Sequence, residues 1–156
     1  MNSCSLLMQG QPKYISKAKK ATVLFDGFCN LCNASVIFII KRDKKDLFRF
    51  TTFQSDTGKE IAKKLGIETL VSDTLIVYQH GKIYTQSAAA LTIARSLSGL
   101  WPLLYAFIIV PPALRNAIYN VISKNRYKWF GRRERCMVPT KGILKKFIQP
   151  TATTGL

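Results

Sequence analysis

The chain has 156 residues, 47% hydrophobic and 21% charged, and its 24 Lys and Arg against 8 Asp and Glu give a formal net charge of +16. That length predicts one domain with a true core, and the composition excludes intrinsic disorder and low-complexity sequence. Four cysteines are too few for a disulfide scaffold, and the charge predicts attraction to polyanions, anionic lipid surfaces or acidic partners without bearing on fold.

Residues Met1–Lys20 contain no apolar core of signal-peptide length, and their lysines follow the short run "SLLM" rather than precede it. The segment reads as a flexible basic tail, and the expected location is cytoplasmic, with organellar import the alternative and no secretion by a signal peptide. Thr22–Asp26 ("TVLFD") is a short apolar, β-rich run and predicts a buried strand ending at Gly27. After "GFCNLC", the segment "NASVIFIIKR" is apolar nearly all round, which predicts a helix sandwiched inside the domain. Phe48–Thr52 alternates as a strand does. "TGKEIAKKLG" puts Thr57 and Glu60 at capping-box spacing, an apolar stripe at Ile61, Ala62 and Leu65, and Gly66 as the stop.

Thr74–Gln79, the turn His80-Gly81 and the returning "KIYT" predict a hairpin. Ser87 is placed to cap a helix through about Leu97, closed by Gly99. Ser96–Leu114 is free of charge for 19 residues, yet Pro102, Pro111 and Pro112 leave an apolar helix well short of the roughly 20 residues that span a bilayer. A buried or interfacial helix near 103–110 is expected instead, then another near 113–124. The order from 22 to 98 is βαβαββα: a βαβ unit followed by a hairpin and a helix.

No acid occurs in the first 25 residues or between Asp73 and Glu134, and Arg115–Lys146 holds ten basic residues against Glu134 alone. Such a block is either a hydrated face or a polyanion-binding surface, and blocks of like charge are usually just hydrated. Weak contact with a polyanion or an anionic membrane through residues 115–146 is the expectation, with no specific nucleic acid. Its distance in sequence from the cysteine pair predicts that disulfide chemistry there does not need it.

Cys29-Asn30-Leu31-Cys32 lies where a strand feeds a helix. A helix N-terminus presents unpaired N–H groups and about half a positive charge, which stabilises a thiolate and lowers its pKa. Cys29 at the helix mouth is the expected exposed nucleophile. Cys32, one turn in, is the expected resolving thiol. The competing readings are half of a zinc site or two inert core cysteines; zinc needs a second ligand pair, and Cys4, His80 and Cys136 supply none at metal-ligand spacing.

The run "LFDGFCNLCN", with Asp26, Cys29 and Cys32, resembles the signature of the DCC family of predicted thiol-disulfide oxidoreductases, named for an Asp-Cys-Cys pattern. "DTLIVYQHGKIYTQSAAAL" and "NRYKWFGRRERC" look like that family's hairpin-plus-helix block and its Asn-Arg-Tyr block, so the resemblance covers roughly residues 21–139. It implies disulfide chemistry and a fold similar to thioredoxin, in agreement with the element order. Against thioredoxin proper, Phe28 replaces the Trp before the first cysteine, and Asn30-Leu31 between the cysteines lacks proline. Asp73 stands where thioredoxins carry a cis-proline, and an acid there would raise the pKa of Cys29.

Asp26 has two readings: a turn residue before Gly27, or a buried carboxylate that shuttles the proton freeing Cys32. Gly27 is expected to take a backbone conformation that bulkier residues would strain. Asn125-Arg126-Tyr127 with Trp129, Phe130 and Gly131 either packs back on the domain or stacks on single-stranded nucleic acid, and packing is the expected role. Cys136, isolated, is expected to be inert.

The resulting expectation is a thioredoxin-like α/β domain over 21–139 with a helical extension from about 100, a tail over 1–20 and another over 140–156. It exchanges disulfides through Cys29 and Cys32 with protein or small-molecule substrates, without cofactor or metal, in the reductase direction. The alternative is a basic binding module for nucleic acid or anionic membrane whose CxxC is structural.

Overall fold

The computed structural model describes residues 20–70, 74–134 and 140–148. Four strands, β1 (Ala21–Phe25), β2 (Phe48–Thr52), β3 (Ile76–Gln79) and β4 (Lys82–Thr85), form one sheet in the order β2-β1-β3-β4. β1 runs parallel to β2, with Val23 opposite Phe50, and antiparallel to β3, with Val23 opposite Val77. The β3–β4 hairpin turns at His80 and Gly81, both at positive φ, as a two-residue turn between twisted strands requires.

β1 is fully buried because both faces of the sheet are covered. Val23 and Phe25 point toward α1 (Asn30–Arg42) and α3 (Gln86–Ser96), sharing a core with Val36, Ile39, Ala89 and Ile93. Leu24 and Ile76 point the other way, against Ile61 and Ala62 of α2 (Asp56–Leu65). The period-two alternation of a strand thus feeds two cores from one run of apolar residues. This is a mixed α/β, thioredoxin-like domain with a helical C-terminal part, and the βαβαββα order holds.

Several local expectations shift. The cap of α2 is Ser55, whose Oγ accepts from Gly58 N–H at 3.0 Å, and Thr57 is buried inside the helix. The chain there passes so close to β2 that a Cβ on Gly58 would lie 1.9 Å from Thr52 O. α3 starts at Gln86 with no side-chain cap, and Ser87 Oγ instead donates to Asn116 Oδ1. α1 is less enclosed than its composition predicts: Asn33, Val36 and Ile39 are buried while Ile37 reaches solvent.

The proline-bracketed segment forms a 3-10 helix over Trp101–Ile109 with no buried residue, so it is not the buried helix it could have been. α4 (Pro112–Phe130) continues six residues past the expected 124 and carries Asn125-Arg126-Tyr127 with it. Residues 140–148, expected as tail, return to the sheet: Phe147 bridges Phe50 and joins the main core, its ring 6.2 Å from that of Phe25. Lys20, at the end of the expected N-terminal tail, pairs with Asp46.

Candidate active site

β1 ends at Phe25 and the chain turns over Asp26–Phe28 into α1. Asp26 closes the turn by accepting Phe28 N–H on Oδ1 at 2.9 Å, the self-bonding that suits Asp to such corners. Gly27 is not among the residues at positive φ; its N–H donates to Gln54 Oε1 and its carbonyl accepts from Asn33 Nδ2, each at 3.0 Å. The strain expected of it is absent.

Cys29 is the N-cap of α1. Its extended backbone lets Sγ face the open end of the helix and accept Cys32 N–H at 3.3 Å. Both cysteines are free thiols. The hydrogen bond from the Cys32 side chain holds the pKa of Cys29 down to about 6, aided by the Cys32 N–H and the positive charge of Arg126, against burial and the negative charge of Asp26. The same bond drives the pKa of Cys32 far upward, with burial and the Cys29 charge acting alongside it. One sulfur carries the charge and the other holds the proton.

The exposure expected of Cys29 is overturned. Its accessible surface is 0%, while Cys32 is half-buried and lines a cavity of about 180 Å³ together with Leu31, Ile39, Leu75 and Ile122. The chain that leaves α4 lies against Cys29. Residues 130–133 run antiparallel over 28–30 as a strap: Cys29 bridges Arg132, Arg133 N–H donates to Phe28 O at 2.8 Å, and the Arg132 guanidinium sits 5.3 Å from the Phe28 ring centroid. Asn30 clamps the strap from below, donating to Phe130 O at 2.9 Å and accepting from Arg133 Nε at 2.8 Å.

Asp26 is buried beneath this arrangement with both oxygens occupied. Oδ1 also accepts from Gln54 Nε2 at 2.9 Å, and Oδ2 accepts from Arg126 at 3.2 Å and from the Tyr127 hydroxyl. Burial, then the bond to Asp26, raises the pKa of Tyr127 and keeps its proton in place. The Asn-Arg-Tyr block therefore packs on the domain. It does so at the CxxC, so the basic region once expected to stand apart contributes Arg126, Arg132 and Arg133 to the site. Sequence reasoning expected the Arg126 block to pack on the domain but missed its pairing with Asp26, along with Gln54 and the strap; the available signal was Asp26, a carboxylate at the end of a fully buried strand, where burial demands a cation. Asp73, Cys4 and Cys136 lie outside the described residues. Among the described residues, no three His, Cys, Asp or Glu side chains gather as a metal-ligand set.

Residues 23–132 match the DCC1-like thiol-disulfide oxidoreductase family. This chain belongs to that family. Its relatives include the uncharacterized protein YuxK of Bacillus subtilis (strain 168), 47% identical over 126 residues that span 81% of this chain and 92% of the relative. A chloroplastic DCC family protein of Arabidopsis thaliana is 31% identical over 124 residues, 79% of this chain and 72% of its own length. No solved structure matches. The DCC1-like match ends at Arg132, so it takes in the cysteine pair, Arg126 and most of the strap.

Proposed function

We propose that this protein exchanges disulfides with Cys29 as attacking thiolate and Cys32 as resolving thiol. The observation that carries the reading is the division of charge between the two sulfurs: Cys29 caps the helix with a pKa held near 6, and Cys32 keeps its proton. The Cys29 thiolate attacks one sulfur of a substrate disulfide, forming a mixed disulfide and expelling the other sulfur as a thiolate. Cys32 then loses its proton to that leaving sulfur or to water and attacks Cys29 Sγ. The protein ends as the Cys29–Cys32 disulfide and the substrate as one thiol and one thiolate: two electrons and the single Cys32 proton leave the protein, and the remaining thiolate takes its proton from water. Because Cys29 is covered, the strap over 130–133 must part before a substrate sulfur can reach it.

In this reading Asp26 does not shuttle protons. With four donors on its carboxylate it anchors Arg126, whose charge supports the thiolate, and Tyr127. The reductase direction gains no support from the site: a stabilised thiolate favours the dithiol form, which moves the pair away from thioredoxin, at about −270 mV, toward the oxidising side.

Trapping tests the assignment. Cys32→Ser should accumulate mixed disulfides joined through Cys29, seen on non-reducing gels and placed by mass spectrometry, while Cys29→Ser should trap far less. Trapping through Cys32 would reverse the roles, and full exchange activity without either thiol would remove the redox reading.

A further inference from the structure

One face of α4 is tied into the domain. Leu75 N–H donates to Tyr119 Oη at 2.9 Å, Gln86 Nε2 donates to Asn120 Oδ1 at 3.1 Å, Ser87 bonds Asn116, and Arg126 reaches Asp26. The opposite face is bare. Leu114, Ile118 and Val121 are each more than half exposed and, at spacings of four and three, form one stripe that Trp129 continues. Lys124 and Lys128, four apart and both exposed, flank it. The 3-10 helix before α4 adds Leu103, Phe107 and Ile109, the last 86% exposed.

Large apolar side chains exposed in this number on two successive elements are uncommon on a monomer in water and mark a contact site. Its charge says what it contacts. Residues 74–133 contain no acid. The Arg42 guanidinium lies 5.5 Å from the Trp101 ring and that of Arg95 4.9 Å from the Tyr105 ring, so both cations sit against the 3-10 helix. A second copy of the chain would bring +16 against +16, which opposes self-association.

From this pairing of apolar stripe and cationic border, we propose that the 3-10 helix Trp101–Ile109 and the outer face of α4 dock on an anionic lipid bilayer. No helix among the described residues is long and apolar enough to cross a membrane, so the two elements lie in the interface, apolar side chains in the acyl boundary and Lys124 and Lys128 among the headgroups. Trp101, Tyr105 and Trp129 have the amphipathic rings that favour that depth. Ile122 both reaches solvent on α4 and lines the cavity beside Cys32, so the docking face runs to the edge of the cysteine pair.

Sedimentation with lipid vesicles tests this on the full chain. Binding to phosphatidylcholine–phosphatidylglycerol vesicles should exceed binding to phosphatidylcholine alone by at least about tenfold and weaken with salt. Brominated lipid should quench the tryptophan fluorescence of the unaltered protein, a readout independent of any variant's folding. Phe107→Ser with Ile109→Ser should cost at least about tenfold in vesicle binding, and Lys124→Gln with Lys128→Gln should weaken it on anionic vesicles only. Three results would each overturn the proposal. One is no binding to anionic vesicles; another is vesicle binding indifferent to the Phe107 and Ile109 changes, which would mean a general polyanion surface. The third is a dimer in light scattering that those changes dissolve, which would make the face a self-interface.

Discussion

At the residue scale the site is a pair of sulfurs with opposite tendencies. An acid whose pKa is depressed on folding stabilises the folded state above its unfolded pKa and loses that contribution as pH falls through the folded value. For Cys29 the window runs from the ordinary thiol value of 9.0 down to about 6, so reduced protein should lose stability as pH drops across it, and Cys29→Ser should not. Iodoacetamide labelling of Cys29 should follow a single titration centred near pH 6, with Cys32 unreactive through that range because its proton is held. A midpoint near 9 for Cys29 would remove the helix-cap account. Cys29, Cys32 and Asp26 were legible in the sequence because spacing and a strand-to-helix junction are local. Arg126 was not, because its partner lies 100 residues away and a buried arginine inside a basic run looks like its solvated neighbours.

At the element scale the strap decides access. It can lie over Cys29 because α4 stops at Gly131, whose φ of 78° and ψ of 169° belong to a region essentially closed to other residues. A Cβ there would also approach Asn30 Nδ2 to 3.2 Å, pressing on the clamp. Gly131→Ala should therefore weaken the strap by about 1–3 kcal/mol, and each 1.4 kcal/mol lets it open about ten times as often. Cys29 labelling should then accelerate at every pH while its midpoint stays fixed, because the thiolate chemistry is untouched. Unchanged labelling would mean that something other than residues 130–133 covers Cys29. Strands, hairpin and α2 were readable from periodicity and glycine stops. The strap has no alternation, and Gly131 signals only where the helix stops, so only its docking reveals where the chain goes next. The caps moved for a related reason: Ser55 caps the helix two residues before Thr57, and Ser87 bonds Asn116 instead of its own helix end.

At the scale of the whole molecule the C-terminal return closes the fold. Phe147 packs edge-on against Phe25 and tilted against Phe50, Ile148 N–H donates to Phe50 O at 2.9 Å, and Lys146 pairs with Asp43 at 2.8 Å. These contacts cover the outer edge of β2, which would otherwise offer unpaired backbone groups to other chains. Phe147→Ala should cost about 3 kcal/mol or more in urea denaturation, as buried phenylalanines do. A loss under about 0.5 kcal/mol would be that of a surface residue and would restore the tail reading. The sequence concealed this return because two apolar pairs among lysines, Ile143-Leu144 and Phe147-Ile148, make too short a run to show that it docks on the sheet.

The chain is made from one end. Asp26 and the cysteine pair leave the ribosome first, and the arginine and strap that complete their site follow about 100 residues later, roughly 5–20 s at ordinary elongation rates. Throughout that interval Asp26 has neither Arg126 nor Tyr127, and no strap covers Cys29. The nascent chain thus displays an open dithiol without its stabilising cation. The cysteine site is among the last parts of the protein to mature, and the C-terminal third acts as its finishing step.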